Sequence, residues 1–285
     1  MNRLYGVLLI AISSASFGAM PIFARLAYAS GTDPISVLFL RFSLAALFMI
    51  IFLKARGISL PRGRHLITLS LMGGLGYVGQ SFCYFTALTM VSAGLVALLL
   101  YLYPAFVMVL TVVFFKARFT GPKILALCLS LGGTFLIVGL DGGGAMLGIL
   151  LGLSAPLIYA VYVVVGSRVI QRTGALASST VVMLAAGAVF GGLVAARGLL
   201  LPDTFAGWVS VLAIVLVSTV LAIVTFFSGL KRLEAAQASI ISTLEPVVTV
   251  YLASLVLGEA ITAAKIAGGT LIVSAVILLT LNRKS

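Results

Sequence analysis

Charge is scarce in this chain: Asp, Glu, Lys and Arg together make up 8% of its 285 residues, and only six of them are acidic. There is one histidine, His65, and it lies in a basic loop, so no histidine cluster exists for a metal site or a catalytic triad. The two cysteines, Cys83 and Cys128, both fall inside apolar runs, which argues against a structural disulfide and leaves the compartment unread. No stretch between the apolar runs is long enough for a soluble domain. The widest gaps, 54–65 and 197–207, are ordinary loops.

What the chain has instead is hydrocarbon. Hydrophobic residues make up 62% and mean hydropathy is +1.28, a proportion that a bundle of membrane helices needs and a soluble core does not. Charged or Gly/Pro punctuation divides it into ten segments: 4–28, 34–53, 66–88, 92–115, 121–140, 145–166, 176–196, 208–230, 236–257 and 263–281. Each has about the length a bilayer requires. The first is too long for a signal-peptide core and is read as a spanning helix. A net charge of +12 could suggest nucleic acid. A nucleic-acid binder, however, gathers its cations on one solvated face, whereas here they sit in short loops.

Those loops orient the chain. With the N-terminus cytoplasmic, the inner loops hold Arg3, Lys54, Arg56, Arg62, Arg64, Lys116, Arg118, Lys123, Arg168, Arg172, Lys231, Arg232, Arg283 and Lys284. The outer loops hold Arg25, Arg197 and Lys265, and Arg41 lies within a span. This bias predicts that both termini are cytoplasmic. The halves also repeat. An offset of 142 pairs Gly6 with Gly148, Phe17 with Tyr159, Leu88 with Leu230, Pro104 with Pro246 and Lys123 with Lys265. Each copy has five spans, so the expected fold is an all-α membrane protein of two inverted five-helix repeats, 1–141 and 145–285. Asp141 and Gly142–Gly144 read as the outer hinge between them.

Two spans carry matching interruptions. Residues 236–257 hold Glu245-Pro246 near their middle, and 92–115 hold Tyr103-Pro104 at the equivalent place. A carboxylate so deep costs roughly 2–4 kcal/mol on insertion scales and marks a function or a specific partner. Paired broken helices, one per half, point to a transporter site at their meeting. Arg41 and Glu245 are the charges well inside spans, each roughly 12–15 Å deep at 1.5 Å per residue. Three readings follow: the two pair with each other, Glu245 binds a proton, or each satisfies backbone groups freed by Pro246 or a neighbouring break.

The candidate substrate-binding residues are mostly tyrosines. Tyr77, Gln80, Ser81 and Tyr84 share one face of the third span, Tyr101 and Pro104 align on the fourth, and Tyr159 and Tyr162 on the sixth. Such a lining would hold a flat solute by stacking or a cation by cation–π attraction. Interfacial belts are the plainer explanation for membrane tyrosines, but Tyr77, Tyr84 and Tyr159 lie well inside their segments. Gly74-x-Gly76-x-x-Gly79 matches a dinucleotide fingerprint in letters only, since no strand precedes it. It reads as a packing or bending face, as do Gly148-x-x-x-Gly152 and Gly187-x-x-x-Gly191.

Asp33-Pro34 followed by Phe39-Leu40-Arg41-Phe42, the run from Ala87-Leu88 to Pro104, and Ser242-Thr243-Leu244-Glu245-Pro246 through Gly258-Glu259 resemble the EamA-like, ten-helix branch of the drug/metabolite transporter superfamily. Phe115-Lys116-Ala117 departs from it, where that family commonly carries an acidic residue. The resemblance implies an inner-membrane exporter of small metabolites, with the aromatic amino acid exporters the best fit. It also implies a central cavity between the repeats and alternating access. Other metabolites or cationic drugs are the alternative cargo. Uniport is as defensible as proton antiport, because no second acid offers a relay. An intramembrane lipid enzyme lacks the nucleophile–base pair or metal cluster it would need. A channel lacks a ring of carbonyls or charges. The expected partners are therefore a small-molecule substrate and the bilayer, with no cofactor, no metal and no nucleic acid; the oligomeric state is left open.

Overall fold

The computed structural model describes residues 2–88, 90–91, 93–117, 120–139 and 145–281. Thr89, Ser92, Arg118, the expected hinge at Asp141–Gly144, Arg283 and Lys284 lie outside the described residues. Among the described residues ten helices are long and apolar enough to cross a membrane. They are Arg3–Tyr28, Pro34–Ala55, Arg64–Tyr84, Leu95–Phe115, Gly121–Val138, Met146–Thr173, Ala175–Arg197, Phe205–Leu230, Ala235–Leu257 and Ala263–Leu281, numbered here first to tenth span.

Local chemistry explains several ends. Asp33 caps the second span, its carboxylate accepting from the Ile35 and Ser36 amides, with Pro34 in the first turn where no N–H is needed. The sixth span runs seven residues past its expected end at 166. Arg168 does not stop it, because its guanidinium lies over the Phe115 ring, 3.8 Å from the centroid. It ends instead at Gly174, whose φ of +78° allows the seventh span to start at the next residue.

Five spans depart from regular helix. The first is interrupted at Ala19, the fourth at Tyr101–Leu102, and the ninth passes through a 3₁₀ turn at Ser242–Leu244. Pro21, Pro104 and Pro246 each sit in the first turn of the half-helix that follows, so the missing proline N–H costs nothing there. The third and eighth spans each contain a π-helical segment, Met72–Tyr77 and Leu216–Leu221. Gly73, Gly74 and Gly76 belong to the first of these; the second has no glycine.

The packing is symmetric under exchange of the halves. The fifth span packs on the tenth, and the second on the seventh. The contact of the first with the eighth is matched by the third with the sixth, and that of the first with the ninth by the sixth with the fourth. Close approach sets the fifth–tenth crossing. A Cβ at Gly133 would come 2.8 Å from Ile272 Cγ1, and one at Gly268 would come 2.9 Å from Ile137 Cγ1. Gly148 and Gly152 pack on Met90 and Leu99, and Gly187 and Gly191 on Ser43 and Phe39, so these motifs serve contacts within the chain.

Cation-rich segments gather at one end. There Arg232 faces the Tyr5 ring, Gln171 Nε2 donates to the Lys231 carbonyl, and Lys123 Nζ meets Glu234 Oε2 at 2.8 Å. At the other end Arg25 pairs with Glu259 at 3.1 Å, and Thr32 Oγ1 donates to the Leu200 carbonyl.

Candidate functional site

The interrupted helices cross at the centre. Thr249 Oγ1 on the ninth span donates to the Gly18 carbonyl at 2.9 Å, where the first span breaks. Tyr103, at the break of the fourth span, donates its hydroxyl to the Ser239 carbonyl of the ninth at 3.0 Å. A carbonyl beside the break of the first span and one of the ninth are thus each met by a side chain from another span, as lipid demands of freed backbone groups. Pro104 and Pro246 are both buried.

Around these breaks the tyrosines form one contiguous series. Tyr77 meets Tyr162 with ring centroids 6.3 Å apart, Tyr162 stacks on Tyr159 at 5.7 Å, and Tyr159 meets Tyr103 edge-on at 4.9 Å. Phe42 extends the series beyond Tyr77 at 5.0 Å. These separations fit attractive edge and offset geometries. The third, fourth and sixth spans supply the tyrosines, so Tyr77, Tyr159 and Tyr162 are brought together from two spans distant in sequence. Tyr101 is half-buried at the fourth-span break. Tyr84 and Gln80 are half-buried on the third span. Ser81 is buried and donates back to the Tyr77 carbonyl at 2.9 Å, which ties it to its own helix.

The two deep charges lie on different spans, and Arg41 meets the series at Tyr77. Arg41 is 2% exposed; its Nε donates to Thr219 Oγ1 at 2.7 Å and its Nη2 to Tyr77 Oη at 3.0 Å. Nη2 also reaches the Ser218 carbonyl in the eighth-span π segment at 3.3 Å, and Nη1 reaches Met20 Sδ at 2.9 Å. Arg41 thus donates to one backbone carbonyl in a neighbouring irregular segment. Glu245 is half-buried at the head of the second half of the ninth span. Among the described residues the ion pairs within 4 Å are Arg25–Glu259 and Lys123–Glu234, so Arg41 and Glu245 do not pair directly.

Four residues of this region were missed in the sequence. Tyr103 was legible, since it aligns with Glu245 under the 142-residue offset. Ser218 and Thr219 were signalled only as two hydroxyls in an apolar run. Lys123, read as a loop cation, is buried against Glu234 beside a cavity of about 300 Å³ at the cation-rich end. Arg168, Ser167 and Gln171 also line that cavity, and none of the tyrosines does.

The chain is similar to other proteins in sequence and in fold. The Bacillus subtilis (strain 168) protein named uncharacterized transporter YcbK is 30% identical, over 89% of this chain and 86% of that protein. A solved crystal structure superimposes with a TM-score of 0.84 at 22% identity, covering 98% of this chain and 97% of that one, which establishes a shared fold. Residues 4–139 and 146–281 each match the EamA-like transporter family, and the chain is a multi-pass membrane protein that belongs to that family.

Proposed function

We propose that this transporter exports small organic solutes, amino acids with aromatic ones among them, across the inner membrane by alternating access. The observation that carries this reading is the tyrosine series, met by the buried Arg41 at its Tyr77 end, where broken helices of both repeats meet. Rings offer stacking, Glu245 offers a charge for an amine, and the breaks supply backbone groups that can change partners. The exchange-symmetric packing supports an inverted arrangement of the units 1–141 and 145–285, because five crossings reverse the direction of the second. The gathering of cations at one end supports placing both termini in the cytoplasm. Cationic drugs are a second cargo, favoured by the half-buried Glu245 carboxylate at the head of the second half of the ninth span.

Counterflow in proteoliposomes with labelled aromatic, aliphatic and cationic solutes tests the reading. A carrier shows trans-stimulated exchange, and Tyr77→Ala and Tyr159→Ala should shift its selectivity. If neither variant alters the rate of any solute, the tyrosine series is not the binding site.

A further inference from the structure

Arg41 is held in an unusual way for a buried cation. A guanidinium offers five N–H donors, and the best partner for its fork is a carboxylate. Here every acceptor is neutral: a threonine hydroxyl, a tyrosine hydroxyl, a carbonyl and the Met20 thioether. A thioether sulfur is a weak acceptor. The surroundings are nonetheless built to hold the charge in place. Thr219 Oγ1 donates to the Ile214 carbonyl at 2.8 Å, which turns its lone pairs towards Arg41 Nε. The Phe42 and Tyr77 rings lie 4.7 and 5.6 Å from the guanidinium carbon. Ser218 Oγ is buried without a hydrogen-bond partner, on the residue whose carbonyl receives Nη2.

We propose that Arg41 is the recognition point for the carboxylate of the transported solute. In binding, the guanidinium exchanges the Met20 sulfur and the Tyr77 hydroxyl for two carboxylate oxygens, and Ser218 Oγ is a spare donor beside them. This rests on the transporter reading above and narrows it: an aromatic carboxylate is carried, and the matching amine without the acid is not. The exchange is also mechanical. Arg41 joins the residue after the first-span break, the π segment of the third span and the π segment of the eighth. A carboxylate that draws it away from Met20 and Tyr77 releases two of these three irregular segments together.

The test is counterflow of three labelled compounds that share one ring: L-phenylalanine, 3-phenylpropionate and phenethylamine. In the wild-type chain the two carboxylates should exchange about tenfold faster or more than phenethylamine, the scale of a charge-assisted pair. Arg41→Gln should erase the difference. Tyr77→Phe keeps the ring and removes one competing acceptor, so the carboxylates should half-saturate at several-fold lower concentration and the preference for acids over phenethylamine should widen. Equal exchange of all three by the wild type overturns the proposal while leaving the transporter reading intact. So does a preference that survives in folded Arg41→Gln, an equal effect of Tyr77→Phe on acids and amine, or exchange confined to solutes without a carboxylate. If no solute of any class is exchanged, it is the transporter reading that fails.

Discussion

The Tyr103 hydroxyl is a sharp point at which to test how the two halves are held. It spans from the fourth span to the ninth, donating to the Ser239 carbonyl at 3.0 Å. Ser239 is fully buried, and its own hydroxyl donates to the Ala236 carbonyl, so it cannot replace the lost donor. Tyr103→Phe keeps the ring against Tyr159 at 4.9 Å and deletes only the hydrogen bond. A buried acceptor left unpaired costs about 1–3 kcal/mol, whereas side-chain bonds within membranes average nearer 0.6 kcal/mol. Because the site is enclosed and the carbonyl lies in the helical turn that leads into the 3₁₀ segment, about 1–2 kcal/mol is the expected loss. That is a factor of about 5–30 in an equilibrium. The contact joins the repeats in the conformation seen here, so its loss should ease departure from that state. Thermal unfolding in detergent should therefore shift to lower temperature, and saturated exchange in proteoliposomes should quicken by about fivefold, the lower end of that factor. Tyr101→Phe, at the neighbouring position, is the control. An unfolding temperature and an exchange rate both equal to wild type would refute the reasoning.

Glu245→Gln should leave the protein folded and flatten the pH dependence of transport; a folded variant with unchanged pH dependence would remove any coupling role for Glu245. Pro104→Ala should restore a helical bond across the fourth-span break, slowing transport more than it lowers expression, and equal losses in both would count against a hinge there. Glu234→Gln should strand the buried Lys123 ammonium and lower thermal stability by about 1–2 kcal/mol, less than for a fully buried pair because Glu234 is half exposed. Thermal melts at low and high salt would check this, and a wild-type melt would show the pair to be idle. Gly133→Ala should force the fifth and tenth spans apart, costing about 1–3 kcal/mol of overpacking, and an undiminished melting temperature would argue that the crossing is loose.

The number of spans, their positions and the two interrupted helices were legible from residue order, for a physical reason. Each is a local matter: a bilayer imposes one length on every apolar run, and proline removes a specific backbone bond wherever it stands. The 142-residue offset was legible too, and with it the kinship of Tyr103 and Glu245. The π segments were not, because Leu216–Leu221 contains neither glycine nor proline and its register is set by what packs beside it. Nor could the partners of Arg41 be read, since Met20, Tyr77, Ser218 and Thr219 come from three other spans. Face periodicity put Ser81 beside Tyr77 and Tyr84, yet only the folded chain turned its hydroxyl onto the Tyr77 carbonyl. Burial along a membrane helix carries little signal in sequence, because lipid and protein interior are equally apolar. Which polar group meets which was therefore decided by tertiary packing, where every buried donor and acceptor must find its partner without water.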